Sequence, residues 1–361
     1  MEYSCVVSGS KPVRGRQADR KRAPTIVDVA RLAGVSPATA SRAFNGSERQ
    51  VREANLRRVL AAARQLDYVP NASAQTVRRG DTRTVALLIS DVTDPYFAWM
   101  AAGVIEQAAE AGLHVTVAVT NRDPQQELDL VRLFRAQRPR MIVLGGSRHQ
   151  SPQTLRELRE ELQAYEADGG RAVDVSQSGM PFDTVSLGNA EGARDLARPL
   201  TGIGYRSFAV IAGPNEPGAA EDRVDGFRAG LAEAGVPWRE EDVIRTSFNR
   251  DGGYAAVSSL SAEQLDRIEL IFAVNDMMAL GALAGLRGRG LSVPADVALA
   301  GYDDIAPLQD VSPALTSVRI PLKHVGAEAV SVGLQTRQAT QVRVSVRPEV
   351  LLRHSTPPQQ S

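Results

Sequence analysis

From Thr84 onward the chain repeats one pattern, a short run rich in Val, Ile, Leu and Ala followed by a longer stretch with apolar residues at helical spacing. The short runs are VALLIS (85–90), HVTVAVT (114–120), MIVLGG (141–146), TVSLGN (184–189), SFAVIAG (207–213), LIFAVND (270–276) and VALAGYDD (297–304). Amphipathic helices are predicted between most of them, with Phe97 to Ala111 and Gln125 to Gln137 the plainest. A strand that is apolar along its whole length must be covered on both faces. The intervening helices supply that cover, so the series predicts parallel sheets in an α/β fold, and it is long enough for two sheets. In such sheets the groups that meet ligands lie beyond the carboxyl ends of the strands, where this chain places Asp91, Asn121, Ser147, Asn189, Asn275 and Asp303.

Ahead of this series, Thr25 to Asn45 read TIVDVARLAGVSPATASRAFN. Thr25 caps a first helix, with Asp28 three residues on as a shorter stand-in for the Glu of a capping box. Ile26, Val29, Ala30 and Ala33 form one apolar stripe and Gly34 ends the helix. Ser36 then caps a second helix, and Pro37 takes its first position, where a missing N–H costs nothing. This is the pattern of a helix-turn-helix, in which the second helix presents its first turns to base edges, and Thr39, Ser41 and Arg42 offer the polar groups for it. An ordinary helical hairpin would show the same caps, so charge is needed to decide. Through residue 83 there are 16 Lys and Arg against 7 Asp and Glu, and beyond it 26 against 35. A basic head on an acidic body suits a protein that holds phosphate at one end and keeps the rest off DNA. Val51, Leu56, Val59, Leu60 and Ala63 predict a third helix ending near Leu66. Pro70 stops it, and Asn71 can cap a short helix to about Arg79.

The 361 residues, 43% hydrophobic and 23% charged, suffice for two or three domains with filled cores. No apolar run approaches membrane-spanning length. Lys11, Arg14, Arg16 and Arg20 interrupt the first twenty residues before a signal-peptide core can form, so a cytoplasmic chain with no membrane partner is expected. Residues 1–23 have little to bury and read as a disordered tail. Cys5 is the single cysteine, which excludes an internal disulfide and a thiolate metal site. His114, His149, His324 and His354 lack ligand spacing, there is no Walker loop, and Gly202-Ile203-Gly204 lacks the third glycine of a dinucleotide fingerprint. No metal, cofactor or catalytic residue is expected, and the chain does not read as an enzyme.

Taken together, the head Thr25 to Asn45, PNASA (70–74), DPYF (94–97), RVDGFRAGL from 223, NDMMALGAL from 275 and VPADVALAGYDD from 293 resemble the lactose- and galactose-repressor (LacI/GalR) family of bacterial transcription regulators. The resemblance runs from Thr25 to Arg353. It implies a helix-turn-helix head, a hinge, and a two-lobed core of doubly wound parallel sheets like those of periplasmic sugar-binding proteins. The boundaries it suggests are head 24–69, hinge helix and linker 70–83, first lobe 84–187 with 319–338, second lobe 188–318 with 339–353, and a tail 354–361. Pro37, Ala38 and Arg42 fall at positions such regulators use for base reading, and Arg42 can address guanine with two donors. Ser36, Ser41 and Asn45 suit phosphate oxygens, and Thr25 is counted with the DNA-binding residues. In the hinge Asn71, Ala74 and Val77 would meet the minor groove. Val77 stands where a wedging leucine is usual and Gln75 where an arginine is usual, which weakens the expected kink. In the core, Arg223, Asn275 and Asp303 match effector-binding positions, and Phe248 matches an aromatic that lines the cleft. Asp94, Tyr96 and Phe97, which follow the first strand, are placed on the opposite wall, and Asn121 is counted with the effector-binding residues. Gly188 stands where Asp is frequent, which removes a hydroxyl partner or enlarges the pocket.

The resemblance thus implies a repressor, a homodimer on a near-palindromic DNA operator, controlled by a small effector, with a sugar favoured over a nucleobase. A sugar-binding protein of a transport system would share the core, but it would lack the basic head and carry an export signal.

Overall fold

The computed structural model describes residues 24–45, 51–69, 82–146, 152–176, 179–214, 218–338 and 340–359. The chain divides into two compact units, residues 1–80 and 81–361.

The first unit holds α1 (Ile26–Ala33), α2 (Pro37–Asn45) and α3 (Glu53–Gln65). The Thr25 N–H donates to Asp28 Oδ2 at 2.9 Å while the Asp28 N–H reaches the Thr25 hydroxyl at 3.4 Å, so the short Asp closes a capping box. Gly34 stops α1 in the left-handed region at φ 63°. Ser36 Oγ accepts the Thr39 N–H at 3.1 Å and starts α2. Val29, Ala30, Ala33, Ala40, Val59, Ala62 and Ala63 form the core, with the rings of Phe44 and Tyr68 packed 5.7 Å apart at its edge. Alanine at five of the seven core positions lets three short helices approach closely. Ala62 occupies the stripe that the pattern gave to Leu60, which is exposed. The hinge positions Asn71, Ala74, Gln75 and Val77, and the tail 1–23, lie outside the described residues.

The second unit has two lobes. The first is a six-stranded parallel sheet made of β1 (Thr84–Ile89), β2 (His114–Val119), β3 (Met141–Gly145), β4 (Arg171–Ser176), β5 (Asp183–Ser186) and β11 (Arg343–Ser345), ordered β11-β5-β4-β3-β1-β2. Val85, Leu87 and Ile89 of β1 point to one side and Ala86 and Leu88 to the other, the period of two that a sheet covered on both faces requires. Helices α4 (Pro95–Glu110) and α13 (Leu322–Leu334) pack together on one side, and α5 (Pro124–Gln137) and α6 (Pro152–Ala167) form the other cover. The α4–α13 crossing is glycine against backbone. A Cβ on Gly103 would stand 1.9 Å from the Lys323 carbonyl oxygen, and one on Gly326 would stand 2.1 Å from that of Met100.

The second lobe is a parallel sheet ordered β7-β6-β8-β9, built from β6 (Phe208–Ala212), β7 (Val243–Arg245), β8 (Leu270–Ala273) and β9 (Ala298–Ala300). Helix α7 (Asn189–Gly202) packs on α8 (Ala219–Glu233), and α9 (Arg250–Ser259) packs on α11 (Asp276–Gly288). Two short helices, α10 (Ala262–Arg267) and α12 (Pro307–Asp310), and an antiparallel pair, β10 (Ser317–Arg319) with β12 (Glu349–Leu351), complete it.

Three readings of the sequence change. Residues 343–345 were grouped with the second lobe, but β11 pairs with β5, Arg343 opposite Thr184 through Ser345 opposite Ser186, and so extends the first sheet. The sequence of residues 354–361 reads as a tail. Instead Ser355 and Thr356 are buried: Ser355 Oγ donates to the Leu299 carbonyl at 2.6 Å and accepts the Thr316 N–H at 2.8 Å, so this segment satisfies the open edge of β9. Strand β2 was read as covered on both faces, yet it is an edge strand with His114, Thr116 and Val117 exposed. Strand β4 was not anticipated because Arg171 and Asp174 interrupt its apolar pattern. Arg171 is held by Asp183 on the adjacent strand at 2.6 Å.

Candidate functional site

The carboxyl ends of both sheets face one cleft, lined by Asp94, Tyr96, Phe97, Arg122 and Gly146 from the first lobe, and by Arg223, Phe248, Asn275 and Asp303 together with Pro214, Ala219 and Ala220 from the second. Its walls are aromatic. Phe97 opens α4 and stands edge-on to Tyr96, 4.9 Å between centroids, while Phe248 lies on the loop after β7. Each ring rests on a glycine at a strand end. A Cβ on Gly146, at φ 116°, would meet the Phe97 ring at 3.2 Å, and one on Gly213 would meet the Phe248 ring at 2.9 Å.

The polar floor centres on Arg223, which is buried. Its Nε donates to Asn189 Oδ1 at 2.9 Å, Nη1 to the Val274 carbonyl at 2.8 Å, and Nη2 to Asp303 Oδ1 at 2.8 Å. The guanidinium lies 3.9 Å from the centroid of the Tyr302 ring, which is held in turn by a hydrogen bond from its hydroxyl to the Asn189 carbonyl at 3.2 Å. Three donors are thus fixed by protein, leaving one N–H on each terminal nitrogen. Asn275 follows β8 and caps α11, its Oδ1 accepting the Met278 N–H at 2.7 Å, so its amide NH₂ is the group left for a ligand. Asp94 caps α4 in the same way through the Tyr96 N–H at 3.0 Å. Asp303 does not cap. It sits at φ 110°, a strained angle for a residue with a Cβ, with its N–H on the Val318 carbonyl.

Burial pushes the Asp303 carboxyl up to about 7, against the pull of Arg223. Burial, and then the charge of Asp303, raise Asp276 well above the usual carboxylate range. Asp276 accepts the Ser317 hydroxyl and the Ile305 N–H, both at 2.8 Å, and so joins the first turn of α11 to the crossover that leads back into the first lobe. Burial also raises Asp94.

Of the residues expected at this site, Asp94, Tyr96, Phe97, Arg223, Phe248, Asn275 and Asp303 line the cleft, and Asn121 does not. Asn121 and Arg122 are the two central residues of a tight turn closed by the Asp123 N–H on the Thr120 carbonyl at 2.9 Å, both left-handed at φ 52° and 59°. That backbone sends the Asn121 amide to Gln126 Oε1 at 3.4 Å and puts Arg122 in the cleft. Gly188 also lies off the cleft. It is left-handed at φ 57°, and an added Cβ would meet Pro348 at 3.0 Å. Sequence reasoning marked Asn189 only as a strand-end polar group. Its role as an Arg223 partner, like that of Tyr302, had no signal in the pattern.

On the head, Ser36, Pro37, Ala38 and Arg42 are exposed and Thr39 and Ser41 half-buried, so the first turns of α2 face outward while Ala40 enters the core. The Ser36 and Thr39 hydroxyls lie 2.9 Å apart, and the Thr25 hydroxyl donates to Asp28 at 2.7 Å. Asn45 is the last residue of α2. Among the described residues no group of His, Cys, Asp and Glu could hold a metal ion, and no helix is long and apolar enough to cross a membrane.

A two-lobed core with a polar cleft, carried on one chain with a helix-turn-helix, defines a class: DNA-binding regulators that answer to a small molecule. Residues 25–71 match the lacI family of bacterial regulatory proteins, and 197–356 match the periplasmic binding protein-like domain. The chain is 33% identical over 345 residues to the HTH-type transcriptional regulator CelR of Thermobifida fusca, covering 93% of this chain and 99% of CelR. It is 30% identical over 342 residues to the HTH-type transcriptional regulator DegA of Bacillus subtilis, covering 92% and 98%. Among solved structures, a CelR–cellobiose complex matches with a TM-score of 0.65 at 31% identity, over 92% of this chain and 99% of that one. The chain belongs to the LacI family and is a DNA-binding transcriptional regulator.

Proposed function

We propose that this regulator represses transcription as a homodimer on a near-palindromic operator, and that its effector is a sugar held between the two core lobes. One reading helix covers only a few base pairs, and two heads at fixed spacing multiply weak preferences. Arg42 reads a guanine. Pro37, Ala38 and Thr39 meet neighbouring bases, and Thr25, Ser36, Ser41 and Asn45 hold phosphates. Asn71, Ala74 and Val77 of the hinge contribute in the minor groove.

The observation that carries the effector reading is the cleft itself, where Arg223, Asn275 and Asp303 share one lining with the rings of Phe97 and Phe248. A sugar ring has apolar faces and a polar rim, and this arrangement offers one surface to each. The resemblance to CelR, solved with cellobiose, supports the same class. Among the described residues of the cleft none pairs a nucleophile with a base, which supports a site that holds its ligand without cutting it. Ligand and operator are then linked through one equilibrium, with a coupling of about 1–3 kcal/mol, or roughly 5–150-fold in affinity.

A gel shift with the DNA upstream of the chain's own gene, run with and without a panel of sugars, tests both halves. A salt-sensitive complex that one sugar shifts is expected. Failure to prefer any duplex over random competitor would remove the operator reading, and a specific complex with no sugar response in solution would remove the effector reading.

A further inference from the structure

Resting on the effector reading above, we propose that the sugar carries an anionic group, a carboxylate or a phosphate, and that Arg122 is the residue that selects it. Two independent observations lead there. The first is the residue choice in the turn. A tight turn with both central residues left-handed favours Asn or Gly at the first position and Gly at the second, because a side chain at positive φ clashes with its own backbone. Asn121 fits the first position. Arg122 at φ 59° does not fit the second, and this chain keeps a strained conformation that places a guanidinium in the cleft.

The second is the balance of hydrogen-bonding groups the cleft leaves to a ligand. Among the described residues, Arg223 retains two N–H donors and Asn275 retains its NH₂, because the Asn275 oxygen is taken by the helix cap. Asp303 keeps one oxygen and Asp94 one, the other being occupied by Arg223 and by the Tyr96 N–H respectively. Arg122 adds up to five donors. Its nearest carboxylate, Asp94 Oδ2, is 3.8 Å away, beyond hydrogen-bond reach, and its guanidinium lies 5.9 Å from the Phe97 centroid and 5.2 Å from that of Phe248. The rings hold the cation in place without satisfying its N–H groups. The donors therefore outnumber the acceptors, and Arg122 is only loosely paired, with Asp94 Oδ2 at 3.8 Å, where Arg223 hydrogen-bonds Asp303 at 2.8 Å. A carboxylate or phosphate accepts only, matches the planar fork, and balances that charge. The sugar hydroxyls are left for Asp303 and Asp94.

The test is calorimetric titration of the full chain with matched pairs, D-galacturonate against D-galactose, D-glucuronate against D-glucose, and D-glucose 6-phosphate against D-glucose, repeated on Arg122→Gly and Arg122→Lys. Gly suits the left-handed position, so its melting temperature should hold or rise, which separates selection from folding. At least one acidic sugar should bind tenfold or more tightly than its neutral parent. The ratio should fall to within threefold in Arg122→Gly and be partly kept in Arg122→Lys. A carboxylate preference and a phosphate preference identify which anion is read. A neutral parent binding as tightly as its acid, or a ratio that survives in Arg122→Gly, overturns the proposal and leaves the sugar reading standing. Binding of no acidic and no neutral sugar overturns both.

Discussion

Replacing Arg223 by Met should do more than silence an effector response: it should destabilise the core, and by an amount that depends on pH. The substitution keeps an apolar stem and removes the three hydrogen bonds to Asn189, Val274 and Asp303. Surface pairs such as Arg31 with Asp28 contribute about 0.2–1 kcal/mol, but breaking a buried pair from one side costs about 3–5 kcal/mol because the remaining charge has no partner. The Asp303 carboxyl already sits up at about 7 through burial, and Arg223 is what pulls it down. In the variant it therefore rises further. A carboxyl raised in the fold leaves stability intact below its unfolded value and removes it as pH climbs through the folded value, so the loss should be larger at pH 8 than at pH 5.5. Urea unfolding of the full chain, followed by fluorescence, reads this directly because both tryptophans, Trp99 and Trp238, lie in the core unit. Adding Asp303→Asn should recover part of the loss, with a coupling toward the top of about 0.5–3 kcal/mol. A cost near that of a surface pair, about 1 kcal/mol or less at both pH values, would refute the claim that this pair is a buried structural element.

Arg42→Ala should weaken specific operator binding by about 1–3 kcal/mol in discrimination while leaving effector affinity unchanged, so retained sequence selectivity in a competition gel shift would move base reading away from α2. Thr25→Ala opens the capping box and should cost the head about 0.5–2 kcal/mol, visible as a lower melting temperature by circular dichroism; an unchanged melt would mean the cap carries no stability. Gly326→Ala puts a methyl group 2.1 Å from the Met100 carbonyl oxygen and should destabilise by about 1–3 kcal/mol or more as α4 and α13 are forced apart, against a near-neutral Gly202→Ala control, where an added Cβ meets nothing within 4 Å. Sugar hydroxyls bonding to Asp303 require its ionised form, so effector binding near pH 7 should release protons. Calorimetry in buffers of different ionisation enthalpy should then give different apparent heats, and identical heats would contradict that role.

The fold was legible where burial is uniform. Continuous apolar runs gave β1, β3, β6 and β8, each covered on both faces, and the caps Thr25 and Ser36 marked helix starts that the structure keeps. It was illegible where strands are short or carry charge. Strand β4 contains Arg171 and a buried Asp174, and β11 has only three residues, so its partner is decided by pairing across more than 150 positions, not by any local pattern. The chain end misled for a related reason. Residues STPP look like a tail, yet Ser355 and Thr356 are polar groups that satisfy the edge of a buried sheet.

The site shows the same division at atomic scale. Strand-end position alone led to Asn275 and Asp303, because the topology of a parallel sheet sends every carboxyl end to one edge. Position in sequence could not say which of two adjacent residues enters the cleft. Between Asn121 and Arg122 that choice is set by a pair of left-handed backbone angles, and a residue whose own preference opposes those angles gives no sequence signal of adopting them. The same opposition is what makes Arg122 informative once the backbone is known. Its conformation lowers stability locally and puts five donors beside two aromatic rings, whereas glycine would close the turn without strain and leave the cleft without that cation. The comparison of Arg122→Gly with the parent chain therefore separates stability from selection: a gain in melting temperature together with a loss of discrimination is the pairing that a ligand-reading role requires and a purely structural role cannot produce.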